Sequence, residues 1–182
     1  MTAQAIALLF HFVGMVGLFV GYGLEWTGSS LLRRATTSDQ ARFSLGVYRL
    51  SLPISGPGLL LLIVTGAYMA SVTGAMRQGW ISGALLAIVF ALGLGFVFIL
   101  PRLRTIRAAI PEGSAPLPEA TLARANDPMA ATLIRIRFMV ALGIVALMTS
   151  KPQMLSTALF MLLGAIVVGL LAAAGVWTKT KN

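Results

Sequence analysis

Residues 3–24 read AQAIALLFHFVGMVGLFVGYGL, an apolar run that holds one ionisable side chain, His11, before Glu25 and Trp26 close it. A helix crossing the roughly 30 Å hydrocarbon core needs about 20 mainly apolar residues, because its backbone must satisfy its own hydrogen bonds there. This run is long enough. It lacks a basic leader and exceeds a signal-peptide core, so the sequence predicts a span retained in the mature protein.

Four further stretches follow the same logic, at about residues 47–72, 80–100, 133–150 and 153–177. Ser55-Gly56-Pro57 predicts that the second span starts or kinks at Pro57, and Pro101 is expected to stop the third. The fourth is short, and Arg135 and Arg137 are expected to complete it by snorkelling. Between the spans, residues 25–46 and 101–132 form long polar connectors. Pro111, Pro116, Pro118 and Pro128 predict an irregular course for the second connector.

Composition agrees with this map. Of 182 residues 58% are hydrophobic and 10% charged, with a mean hydropathy of +0.90, whereas soluble domains carry about 25% charged residues. So little charge cannot coat a soluble globule, which excludes a soluble enzyme. The net charge of +9 does not indicate nucleic acid, for no water-soluble basic face with base-stacking side chains accompanies it. Cysteine is absent, so thiolate metal sites and thiol nucleophiles are excluded. The expected fold is an all-α integral membrane protein, an antiparallel bundle of five transmembrane helices forming one membrane domain over residues 1–182.

Charge also predicts orientation. Of the 14 Lys and Arg, Lys179 and Lys181 included, only Arg77 and Lys151 fall on the side opposite the long connectors. The positive-inside rule then puts the N-terminus outside and the long connectors and C-terminus in the cytoplasm. Trp26 and Trp177 are expected at the inner interface and Trp80 at the outer one. The lipid bilayer is the expected partner, with a homo-oligomer or a membrane partner subunit left open.

His11 is the sole histidine, and an ionisable group inside a span points to function unless it finds a structural partner. It shares a helix face with Gln4, Leu18, Tyr22 and Glu25, beside a stripe of Gly14, Gly17, Gly21 and Gly28. Two readings stand: a haem or metal ligand with glycines making room for the macrocycle, or an interhelical hydrogen bond with glycines serving helix packing. A second axial ligand would come from Met148, Met69 or Met161, at matching depth. Arg77 and Lys151 are candidates for haem propionates or for interfacial anchoring. Glu25 and Arg49, at the inner ends of consecutive spans, are expected to form a structural pair. Arg102, Arg104 and Arg107 either contact anionic lipid or enforce topology.

Leu8-Leu9-Phe10-His11, Tyr48-Arg49-Leu50, Gly56-Pro57-Gly58 and Thr65-Gly66 resemble a bacterial family of predicted integral membrane proteins of unknown function in the copper-resistance-protein-D-like superfamily. Gly79-Trp80-Ile81, Leu100-Pro101-Arg102-Leu103-Arg104 and Leu147-Met148-Thr149-Ser150-Lys151-Pro152 extend the resemblance over nearly the whole chain. It implies a bacterial inner-membrane location. The superfamily includes a haem-containing protoporphyrinogen oxidase, and the resemblance implies haem b on His11. The oxidase pattern also has a Trp and Gly shortly after that histidine and a Lys in the third helix. Here Val16 and Gly17 stand in the first region and no Lys lies between Trp80 and Leu100, which argues against the oxidase activity. The expected function is a small haem-b-binding or metal-related redox membrane protein. A non-catalytic scaffold or accessory subunit and a small-solute transporter are the alternatives.

Overall fold

The computed structural model describes residues 2–178. Lys179 and Lys181 lie outside the described residues. The chain is an all-helical integral membrane protein with five helical runs long and apolar enough to cross a bilayer, and no strand among the described residues.

Helix α1 runs from Ala3 to Leu32, capped by the Thr2 side chain, which accepts from the Ala5 amide at 3.2 Å. It continues well past Leu24 because its buried row does: Ala7, His11, Gly14, Leu18, Gly21, Glu25, Gly28 and Leu32 are all buried. Their spacing alternates four and three residues, the 3.5-residue period that keeps one seam facing a partner helix. Glu25 ends the apolar run without ending the helix.

The partner is a nearly continuous antiparallel run of α2 (Ser38–Arg49) and α3 (Ser51–Val72), joined through Leu50 in helical conformation. Pro57 lies inside α3 and does not start it. Glycines let the two backbones touch. A Cβ on Gly14 would stand 2.7 Å from the Gly58 carbonyl oxygen, and one on Gly28 would stand 2.9 Å from the Tyr48 amide nitrogen. The expected connector at 25–46 is therefore mostly helix, packed along its whole length.

The third run comprises α4 (Gly79–Gly93), a π-helical turn (Leu94–Ile99) and α5 (Leu100–Ala108). Pro101 does not stop it. Proline removes its own N–H and its ring crowds the carbonyl of residue i−4, and the π-helical turn just before Pro101 is the local adjustment that accommodates both. At the start of α4 the Gly79 and Trp80 amides donate to the carbonyls of Gln153 and Pro152, at 2.9 and 3.1 Å.

Helix α6 (Glu119–Ala125) leads into α7 (Pro128–Ser150), and α8 (Leu155–Thr178) completes the bundle. Helix α7 starts before the expected residue 133 because Asp127 caps it, accepting from the Met129 amide at 3.0 Å, with Pro128 in its first turn. The short α7–α8 turn opens with Lys151 in the left-handed region, at φ 47°. Small residues again set the packing: a Cβ on Gly143 would lie 2.9 Å from Ala165 Cβ, and one on Gly83 would lie 2.8 Å from Ala158 Cβ.

The two long connectors interlock at the basic end. Ser38 N–H donates to the Ala115 carbonyl at 2.9 Å and Leu117 N–H to the Thr36 carbonyl at 3.0 Å. Arg42 reaches the Pro111 and Gly113 carbonyls, and Arg33 reaches that of Asn126 at 2.9 Å. The irregular course expected for the second connector holds for residues 109–118, which contain Pro111 and Pro116, while its flanks are helical: Pro118 precedes α6 and Pro128 opens α7, where a missing N–H costs nothing. Lipid-facing positions along the runs are large and apolar, among them Val89, Phe160 and Leu171.

Candidate functional site

Two buried polar centres interrupt the apolar interior, one on each half of α1. The first is His11. Its Nδ1 lies 3.0 Å from Thr65 Oγ1 on α3, and the Thr65 hydroxyl donates to the Leu61 carbonyl. When that hydroxyl gives its one hydrogen to Leu61 it accepts from His11 Nδ1–H, and Nε2 keeps its lone pair; in the other tautomer it donates to Nδ1. The imidazole packs on Gly66, where a Cβ would stand 3.3 Å from Cε1.

The glycines beside His11 do not make room for a macrocycle. The α3 backbone fills the space beside Gly14 and Gly21, and Gly17 faces Ile54 and Gly58. Met148 is half-buried on α7, and Met161 instead accepts from the Ser150 hydroxyl at 3.6 Å. No bond joins His11 to a methionine among the described residues. Nor does any group of three or more His, Cys, Asp or Glu gather there. Arg77 and Lys151 both lie in exposed turns at the end opposite the long connectors.

The second centre is an ion pair between α1 and α7. Arg137 Nη1 stands 2.7 Å from Glu25 Oε2 and 2.9 Å from Oε1, with both side chains buried. Ser51 at the start of α3 donates to Glu25 Oε1 at 3.3 Å. The Arg137 guanidinium sits 4.4 Å from the centroid of the Tyr22 ring. It also lies against bare Gly95 in the π-helical turn, where a Cβ would come within 3.1 Å of Cζ. The π turn thus brings a residue without a side chain to the one place where a planar cation needs the space. Nε of Arg137 has no partner among the described residues.

Glu25 therefore pairs with Arg137 and not with Arg49. Arg49 is exposed on α2, on the far side from Ser44 and Tyr48, which face Gly28 of α1. Arg137 does not snorkel either. It occupies the inward row Ile134, Arg137, Ala141, and that spacing is the signal in the sequence that marks it as buried. Arg135 lies off this row, its guanidinium 5.0 Å from the Trp26 ring centroid. Phe138 joins the same seam edge-on, with ring centroids 5.7 Å from Phe19 and 5.5 Å from Trp26.

These contacts tie the α1–α2–α3 layer to the α4–α7–α8 layer. A charged pair in such a place is costly unless each charge finds the other, and it concentrates the polar chemistry of the basic half in one cluster.

No curated protein and no solved structure matches the chain. The family model described as "Predicted integral membrane protein (DUF2269)" matches residues 6–152, a stretch that contains both polar centres and all but the last helix. The chain belongs to that family of predicted integral membrane proteins.

Proposed function

We propose that this integral membrane protein is a small redox protein that holds haem b through Nε2 of His11. The observation that carries the reading is the Thr65 hydroxyl 3.0 Å from His11 Nδ1, a contact that in the Nδ1–H tautomer leaves Nε2 as the free donor atom. Ligating histidines characteristically have their second nitrogen tied in this way. Gly66 gives the ring its room, since a Cβ there would press on Cε1. The resemblance of the early first-helix His11 to the histidine that holds haem b in the copper-resistance-protein-D-like superfamily supports the same role.

In this reading His11 and Met148 would hold the haem iron, and Thr65 would orient the His11 ring. The haem would supply one-electron chemistry. Orientation is proposed from the charge count, with the basic end cytoplasmic and His11 in the outer half of the bilayer.

The test is an absorption spectrum of the detergent-purified protein from cells supplied with haem precursor. A Soret band that shifts on dithionite reduction and is lost in His11→Ala is expected. Thr65→Val should keep the pigment but hold it about 10–100-fold less tightly, the usual cost of losing an outer-shell partner. A colourless wild-type preparation rejects the proposal.

A second reading, a non-catalytic scaffold or accessory subunit, is favoured by the Glu25–Arg137 pair, whose contacts are all internal to the seam. Under it His11–Thr65 is an interhelical hydrogen bond, and His11→Ala weakens the fold without any spectral consequence.

A further inference from the structure

We infer that the groove between α5, α6 and the start of α7 is a binding site for the headgroup phosphate of an anionic phospholipid, held between Arg102 and Arg124. The groove has a volume of about 320 Å³ and is lined by Arg102, Thr105, Ile106, Arg124, Asp127 and Ala130 among others. Two guanidinium groups thus face one carboxylate. Asp127 is already engaged, capping α7 through the Met129 amide at 3.0 Å and standing 3.7 Å from Arg102 Nε. Arg102 Nη1 donates to the Phe98 carbonyl at 2.9 Å, which leaves further N–H groups of its fork for an acceptor. The Arg124 guanidinium is exposed and makes no hydrogen bond or ion pair among the described residues. Arg33 adds positive charge beside the groove, bonded to the Asn126 and Asp127 carbonyls at 2.9 and 3.3 Å.

Depth identifies the ligand as a lipid. Trp177 Nε1 donates to Thr132 Oγ1 at 3.0 Å, and such indoles sit at headgroup level. Ala130 and Asp127 precede Thr132 on the same helix by two and five residues, or about 3 and 8 Å at 1.5 Å per residue. The groove therefore opens within the headgroup layer. One turn before Arg102 on the same face, the Phe98 side chain is exposed to hydrocarbon, where an acyl chain attached to the bound phosphate would lie.

The test is native mass spectrometry of the full chain in detergent, delipidated and then titrated with phosphatidylglycerol or phosphatidylcholine of identical acyl chains. Phosphatidylglycerol should be retained preferentially, and Arg124→Gln should weaken retention about five-fold, the contribution expected of one basic residue at an anionic surface. Arg124 is exposed and unpaired, so this variant leaves the fold intact. Arg102→Gln should act in the same direction. The double variant Arg104→Gln/Arg107→Gln, which removes more charge outside the groove, should change retention little. Equal retention of the two lipids, an unchanged Arg124→Gln, or an equal loss in the Arg104/Arg107 variant overturns the proposal. Inorganic phosphate that displaces the lipid at equal concentration overturns it as well, because the bound species would then be a free anion.

Discussion

At the scale of single residues, the centre of the molecule is the contact of Arg137 with Glu25. Cutting either side chain strands the other as an uncompensated buried charge, which costs about 3–5 kcal/mol, whereas replacing both by apolar groups of similar volume is close to neutral. Glu25→Ala and Arg137→Ala should each sharply lower resistance to denaturant in detergent, and Glu25→Leu/Arg137→Met should recover most of it. If the double variant is as weak as the sum of the singles, the pair is not what holds this seam. The pairing was only half legible in the sequence. The buried row through Arg137 can be read from its spacing, but its partner depends on α1 meeting α7, a neighbour more than 100 residues away. The chain-adjacent candidate, Arg49, is excluded by the rotation of α2 about its own axis. His11 was legible as a buried polar group, yet Thr65 has no sequence signal beyond lying at compatible depth.

At the scale of helices, hydropathy located all five spans and misplaced the ends of the first four on the basic side, while their opposite ends fall within a residue of the helix ends. The reason is physical: a charged residue marks where the hydrocarbon stops, while a helix stops only where caps and packing let it. Glu25 lies inside α1, Arg49 ends α2 within a nearly continuous run, and Pro101 lies within the third run. Glycine spacing carries more information than charge here, since Gly14, Gly21 and Gly28 recur every seven residues along the line where α2 and α3 lie. Gly14→Ala should destabilise the bundle by about 1–3 kcal/mol, the range for overpacking a close contact. Gly23, with nothing within 4 Å of an added Cβ, should accept alanine with no loss or a small gain. Thermal denaturation in detergent measures both, and equal effects would mean that the close approach of α1 and α3 does not matter to stability.

At the scale of the whole molecule, the net charge of +9 resolves into a dense basic end and a sparse opposite end. The dense end is also where the two long connectors lock together, so the charge surrounds ordered backbone. Orientation can be checked directly because the chain has no cysteine. In intact cells, Met76→Cys, in the exposed turn after α3, should react with a membrane-impermeant thiol reagent. Glu112→Cys, exposed between α5 and α6, should react only after permeabilisation. The reverse pattern would invert the proposed orientation and carry His11 to the cytoplasmic half.

The backbone bonds from Gly79 and Trp80 to Gln153 and Pro152 bear on the timing of assembly. Helix α4 leaves the ribosome long before residues 152–153 exist, so its first two amides begin without these acceptors. They gain them only when the turn between α7 and α8 arrives. Synthesis order therefore leaves the start of α4 open until the turn between α7 and α8 arrives.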